Sequence, residues 1–310
     1  MGELWQKSAG ELAALIAAGD VSSREVVAAH YDRIAAVNSR VNAVVELLTD
    51  QAFAAADAAD ARRAAGEPLG AFHGVPFTVK TNIDYAGSAT HEGALALKDL
   101  IAPSDAPVVE RMKAAGGIPI GRTNMPDFGL RINTESSLCG PAHNPWDHSR
   151  TVGGSSGGEG AAIATGMSPI GLGNDIGGSV RNPAFANGIA SIKPGFGRIP
   201  AGNESSSINS PVSSQLMLAQ GVLARHVSDV RRGLETVMGA HPRDPFAVDA
   251  PLAGPTAPKR VAAYADLPAM TEALPGFEVV GWYGLMAPPK LPKPIVNKLH
   301  GEFVKIVKLN

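Results

Sequence analysis

The chain has 310 residues, of which 45% are hydrophobic and 18% charged, with 27 basic side chains against 29 acidic ones. That length is consistent with one large α/β domain or a domain plus an appendage, and the balanced charge without a basic block argues against a nucleic-acid partner. A single cysteine, Cys139, excludes an intrachain disulfide, and no cluster of cysteines and histidines has zinc-ligand spacing.

The N-terminus, MGELWQKSAGEL, lacks the uninterrupted apolar core of a signal peptide, and no stretch of 18 apolar residues could span a bilayer. A soluble, cytoplasmic protein is the expectation. Ser8 with Glu11, and Ser22 with Glu25, match the capping box S-x-x-E, and Val27, Ile34 and Val37 recur on one helical face, so two helices open the chain. The alanine-rich run from Asp50 to Gly66 reads as a third helix ending at a glycine. VPFTVK then reads as a buried strand that leaves Lys80 at its end. Asp105 and Pro107 open another helix that stops at Gly116 and Gly117, and IPIGRTN forms the next strand. GGEGAAIATG is a small-residue helix able to approach its neighbours closely, and Ser228 is expected to cap a helix carrying Val230, Leu234 and Val237. This alternation predicts an α/β fold, a mixed β-sheet core covered by helices on both faces.

Residues 153 to 183, GGSSGGEGAAIATGMSPIGLGNDIGGSVRNP, place Ser155 and Ser179 each behind a pair of glycines. A serine hydroxyl is a poor nucleophile at neutral pH and needs a base, yet the G-x-S-x-G elbow with Asp and His partners is absent. His73, His91, His143 and His148 carry no motif that would orient one toward Ser179. A lysine kept neutral by burial is the other available base, and Lys80 follows the apolar residues Val75, Phe77 and Val79. Taken alone, Lys80 would read as an exposed residue closing a strand, and either glycine loop as a turn. A phosphate-binding loop is disfavoured because no G-K-[ST] follows GGSSGG.

GGSSGGEG, DIGGSVRNP and GVPFTVK together resemble the amidase signature family, in particular its fatty-acid-amide-hydrolase-like branch. The resemblance runs from about residue 5 to about residue 265, with 75 residues from Lys80 to Ser155 and 24 from Ser155 to Ser179. It implies a Ser-cisSer-Lys triad in which Lys80 is the base, Ser155 the relay behind a cis Gly154–Ser155 peptide, and Ser179 the nucleophile. It also implies an oxyanion hole from the backbone N–H groups of Ile176, Gly177, Gly178 and Ser179. Ser156 and Gly154 are expected to support the triad, with a satisfied loop hydroxyl as the alternative reading of Ser156. Asp175 and Arg181 flank the nucleophile as a pair, either structural or in contact with substrate. Asn124, Met125 and Phe128 are candidates for the substrate pocket, and Cys139 reads as a small core or loop residue. No metal and no cofactor is implied.

The expected organisation is an amidase signature domain over 1–268, with N-terminal helices about 8–66 and a catalytic core about 70–240, then an extension over 269–310. Family members usually continue further, so the chain reads as C-terminally truncated. Its last 40 or so residues resemble a fragment of a Bug (TctC-like) solute-binding protein: a strand at FEVVGWYGLMA, a proline connector, and a helix carrying Ile295, Leu299, Phe303 or Val304, and Val307. The family resemblance implies a small-molecule amide or ester substrate cleaved through an acyl-enzyme, with promiscuous esterase activity and carbamates as further substrates. The rival readings are an aminoacyl-tRNA amidotransferase A-type subunit, an inactive amidase-like fragment whose exposed sheet edge makes a homo-oligomer, and a solute-binding protein judged by the tail alone.

Overall fold

The computed structural model describes residues 3–205, 216–250 and 252, all within one compact unit, Met1–Ala253. In chain order its elements are α1 (Ala9–Ala18), α2 (Ser23–Val41), β1 (Val44–Leu47), α3 (Thr49–Ala64), β2 (Pro76–Lys80), α4 (Pro107–Ala114), β3 (Ile118–Thr123), β4 (Glu135–Ser136), β5 (Gly140–Pro141), α5 (Gly157–Ala164), β6 (Ile170–Asp175), α6 (Arg181–Asn187), β7 (Ala190–Ile192), β8 (Ala219–Ala224) and α7 (Val227–Val237). The six-stranded sheet runs β1-β3-β2-β6-β8-β7, and β4 and β5 form a separate hairpin. β2 is parallel to both β3 and β6, while β1, β8 and β7 each join antiparallel. The expected mixed α/β architecture is what the chain adopts. The domain boundary expected at 268, the strand and helix expected beyond it, and the Bug-like segment all lie outside the described residues.

Helices cover both faces of the sheet because its strands alternate. Phe77 and Val79 of β2, Leu172 of β6 and Val222 of β8 pack with Leu12 and Ile16 of α1, Val109 and Met112 of α4, and Val230 and Leu234 of α7. Ile118 and Ile120 of β3 turn to the other side, against Val27 and Ile34 of α2, Ala52 and Ala56 of α3, and Ala161 and Ala162 of α5. Both predicted capping boxes form, with Glu11 N–H donating to Ser8 Oγ at 3.1 Å and Glu25 N–H to Ser22 Oγ at 3.1 Å. Each of these two helix starts also receives a distant carboxylate. Asp229 of α7 accepts from the N–H groups of Ala9 and Gly10 (3.1 and 2.9 Å), and Asp60 of α3 from those of Ser23 and Arg24 (2.7 and 3.1 Å). Such contacts satisfy N–H groups that a helix cannot satisfy itself and lock neighbouring helices together. Ser228 is not a cap: α7 starts at Val227, and Ser228 sits inside its first turn.

The small-residue helix α5 is buried along nearly its whole length. A Cβ at Gly158 would lie 2.5 Å from the backbone N and O of Asn124, and one at Gly157 would lie 2.3 Å from Thr134 Oγ1. Those approaches carry hydrogen bonds: Gly157 N–H donates to Thr134 Oγ1 (3.1 Å) and Gly158 N–H to Asn124 O (3.2 Å). The helix start is therefore committed to protein acceptors, which is no arrangement for a phosphate. The strand it packs on, β6, was absent from the elements read in the sequence because GLGND has poor strand propensity. Its glycines answer to α5. A Cβ at Gly171 would sit 1.7 Å from Glu159 Oε1, and one at Gly173 would sit 2.9 Å from Ser156 Oγ.

Glycine inside a helix normally costs about 1 kcal/mol relative to alanine, so Gly158→Ala would stabilise an exposed helix. Here the added methyl meets fixed backbone. Gly158→Ala is expected to destabilise the fold by roughly 2 kcal/mol or more, measured by urea unfolding of the purified protein.

Candidate active site

Lys80 is the last residue of β2, and Asn174 and Asp175 end the parallel neighbour β6, so these side chains meet beyond the carboxyl ends of parallel strands. Open α/β sheets place their sites there. Lys80 is fully buried, and its Nζ lies 2.7 Å from Ser155 Oγ and 2.9 Å from Asn174 Oδ1. The apolar residues on its own strand do not bury it. Phe77 and Val79 belong to the opposite face, as a period of two requires, while Thr78 emerges on the α5 side with its hydroxyl bonded to Glu159. The cage around Lys80 is polar and closed to the surface. Burial pushes Lys80 down to about 7, opposed by the negative charges of Asp175, Glu159 and Glu92.

The peptide bond between Gly154 and Ser155 is cis. Gly154 N–H donates to Asn182 Oδ1 (3.0 Å), and Thr134 Oγ1 donates to Gly153 O (2.9 Å), so α6 and the segment before β4 fix the loop from both sides. Ser155 and Ser156 are both buried. Ser156 is not a satisfied loop hydroxyl, since its Oγ is buried without a hydrogen-bond partner among the described residues, and its backbone N–H donates to Ser179 O at 3.1 Å. That bond ties the two serine loops. The hydroxyls of Ser155 and Ser179 are not hydrogen-bonded to each other, and no described histidine bonds either one.

Asp175 and Arg181 form a structural pair under the Ser179 loop. Asp175 accepts from Gly178 N–H (2.7 Å), Val180 N–H (3.1 Å), Arg181 Nε (3.0 Å) and Arg181 Nη2 (2.9 Å). Burial alone would raise the Asp175 pKa, but the bonds from Arg181, Val180 and Gly178 outweigh it and hold the carboxyl below its ordinary value. Gly178 N–H is thus engaged. The N–H groups of Ile176, Gly177 and Ser179 have no partner among the described residues and remain available to a substrate oxygen.

Of the three pocket candidates, Asn124 turns away: its Nδ2 donates to Asn42 O (3.2 Å) and Gly140 O (3.1 Å). Met125 is buried, and Phe128, with a left-handed φ of 54°, is 52% exposed. Next to Phe128, Gly129 stands so near Ser155 that a Cβ on it would lie 3.3 Å from Ser155 Oγ. Leu130 (83% exposed) and Ile132 (55%) continue this apolar rim. Cys139 lies half-buried in the turn between β4 and β5.

The residues 25–275 match the family model Amidase. The chain belongs to the amidase signature family. It is 54% identical over 254 residues to an indoleacetamide hydrolase of Bradyrhizobium diazoefficiens, covering 82% of this chain and 48% of the relative. It is 42% identical over 270 residues to the glutamyl-tRNA(Gln) amidotransferase A-type subunit of Salinispora arenicola, covering 86% of this chain and 53% of that one. Among solved structures, a bacterial aryl acylamidase superposes with a TM-score of 0.73 at 33% identity over 79% of this chain and 50% of that one. A fatty acid amide hydrolase gives 0.69 at 30% identity over 76% and 42%. The chain spans about half the length of the curated relatives it matches.

Two site residues escaped the sequence reading. Asn174 and Glu159 are both buried; Glu159 is the one charged residue in the small-residue run GGEGAAIA, and Asn174 stands beside Asp175 at the end of β6. A charged residue inside a glycine-alanine run is the available signal for Glu159. Glu159 is held between two strands, accepting from Thr78 Oγ1 of β2 and from Thr123 Oγ1 of β3 at 2.6 Å. Burial pushes it up to about 7, against the hydrogen bonds from Thr123 and Thr78 and the charge of Lys80. Among the described residues no three His, Cys, Asp or Glu side chains group as a metal site, and no helix is long and apolar enough to cross a membrane.

A lysine that titrates near 7 when folded and at its ordinary 10.5 when unfolded leaves the extra proton on the unfolded chain between those values. Its contribution to stability therefore rises with pH through that window and is lowest below pH 7. Lys80→Met removes the dependence. The unfolding free energy of wild type relative to Lys80→Met is expected to increase from about pH 8 to about pH 10, as measured by denaturant titration at each pH.

Proposed function

We propose that this chain is a serine hydrolase of carboxylic amides, working through an acyl-enzyme on Ser179. The observation that carries the reading is the fully buried Lys80 with Nζ 2.7 Å from Ser155 Oγ, on a loop joined by hydrogen bond to the Ser179 backbone. A lysine titrating near neutrality is matched to general-base work at physiological pH. Neutral Lys80 takes the Ser155 proton, Ser155 takes that of Ser179, and Ser179 Oγ attacks the carbonyl carbon. For this relay the Ser155 and Ser179 hydroxyls come within hydrogen-bond reach once substrate fills the site. The resulting oxyanion is received by the free N–H groups of Ile176, Gly177 and Ser179, where fixed donors cost little reorganisation. The proton then returns through Ser155 to the amide nitrogen as the C–N bond breaks, and water hydrolyses the acyl-enzyme to free acid and Ser179.

The substrate class follows from the rim. Phe128, Leu130 and Ile132 present apolar surface beside Ser155, which suits an apolar or aromatic acyl group on a simple amide. Identity to the indoleacetamide hydrolase (54%) exceeds that to the amidotransferase (42%), which favours a free small-molecule amide over a tRNA-linked acyl group. Aryl esters and activated anilides are the easier substrates for the same serine, since their leaving groups need less protonation.

Incubation with a fluorophosphonate followed by peptide mass spectrometry is expected to find the added mass on Ser179. Ser179→Ala should abolish labelling, and Lys80→Ala should slow it at least about a hundredfold. An unlabelled, folded wild-type protein would sink the hydrolase reading. Because Lys80 acts unprotonated, kcat/KM for an arylacetamide should rise with pH through a midpoint near 7; a rate independent of pH between about 6 and 8 would exclude Lys80 as the base.

A further inference from the structure

We propose that Asn174, its amide held by Asn82, is a positioning residue that turns the free electron pair of Lys80 toward Ser155. This rests on the hydrolase reading and assigns a role that the two serines and the lysine do not fill by themselves. A neutral amine carries two N–H bonds and one electron pair. To act on Ser155, Lys80 must aim the pair, and neither hydrogen, at Ser155 Oγ. Ser155 Oγ can give or receive a hydrogen bond, so the 2.7 Å contact between them does not fix the direction.

Asn174 Oδ1, 2.9 Å from Nζ, is an acceptor only. It takes an N–H in either charge state of the lysine, so the pair is kept off Asn174 and one of the two hydrogens is kept off Ser155, which favours the pair on the Ser155 side. Were the amide reversed, Nδ2 would face Nζ and donate into that pair. Asn82 opposes the reversal: its Nδ2 donates to Asn174 Oδ1 at 3.1 Å, and its Oδ1 accepts from Asn174 Nδ2 at 2.9 Å. The two amides can reverse only together, and doing so would set an NH2 group against the N–H groups of Lys80. Asn82 is itself anchored, its carbonyl accepting from Asn203 Nδ2 at 2.8 Å. Asn174 is buried, 4% exposed, and its oxygen is taken by Lys80 and Asn82.

The test is the rate of fluorophosphonate labelling at Ser179 from about pH 5.5 to 9.5, with thermal melting to verify folding. Asn174→Leu removes the acceptor and should slow labelling roughly a hundredfold, while Asn82→Leu leaves the amide free to turn and should slow it roughly tenfold. Neither should move the pH midpoint by much. Asn174→Asp keeps the acceptor but adds a negative charge to those of Asp175, Glu159 and Glu92 around Lys80. It should move the midpoint up by about one pH unit or more and approach the wild-type rate at the alkaline end. That alkaline recovery separates positioning from a structural role. Folded Asn174→Leu and Asn82→Leu variants labelled at the wild-type rate would overturn the proposal and leave the hydrolase intact, as would an Asn174→Asp variant as slow as Asn174→Leu at every pH. Failure of the wild-type protein to label would overturn both.

Discussion

The close approach of α5 to the sheet is the constraint on which the site depends. Three of its first four residues, Gly157, Gly158 and Gly160, lack side chains where one would strike Thr134, Asn124 or Asn187. The strand opposite gives way in the same manner at Gly171 and Gly173. These glycines weaken both elements as isolated segments, by about 1 kcal/mol for each helical one. The packing offsets that loss and leaves Lys80 fully buried. Burial disfavours the charged amine, so the geometry of a helix–sheet contact sets the basicity of Lys80.

The same contact positions the two serines. Ser155 and Ser156 immediately precede α5, and the Ser179 loop immediately follows β6, the strand α5 packs on. One hydrogen bond, from Ser156 N–H to Ser179 O, then suffices to set the loops against each other. Asp175 draws the outer loop tight by accepting from Gly178, Val180 and Arg181. The carboxylate that consumes one amide of the loop thereby fixes how the remaining N–H groups point.

Much of this was legible in the chain because local rules act locally. The S-x-x-E boxes, the glycine stop after α3 and Pro107 at the start of α4 each rest on a few adjacent residues. The motif around Ser155 and Ser179 likewise marked two of the loops that meet. What stayed hidden was tertiary in origin. β6 breaks strand propensity because α5 demands glycine there; Asp229 and Asp60 cap helices far away in sequence; Lys80 is enclosed by the far side of its strand from the apolar residues that precede it. Asn124, beside a plausible pocket in sequence, spends its amide on Asn42 and Gly140.

Glu159 adds a second buried titratable group to the polar cage around Lys80. Two threonine hydroxyls, from β2 and β3, donate to its two oxygens, an arrangement suited to the anion. Burial opposes that anion and equally opposes the ammonium form of Lys80, so the charge of each favours the charge of the other. The pair can be neutral together or charged together at no change in net charge, whereas a lone buried charge would carry its full desolvation cost. Asn174 tolerates both states, since its oxygen accepts from an amine and an ammonium alike. Lys80 is thus surrounded by groups that need not rearrange when it gains or loses a proton, and a fixed surrounding of that kind is what the proposed base would require.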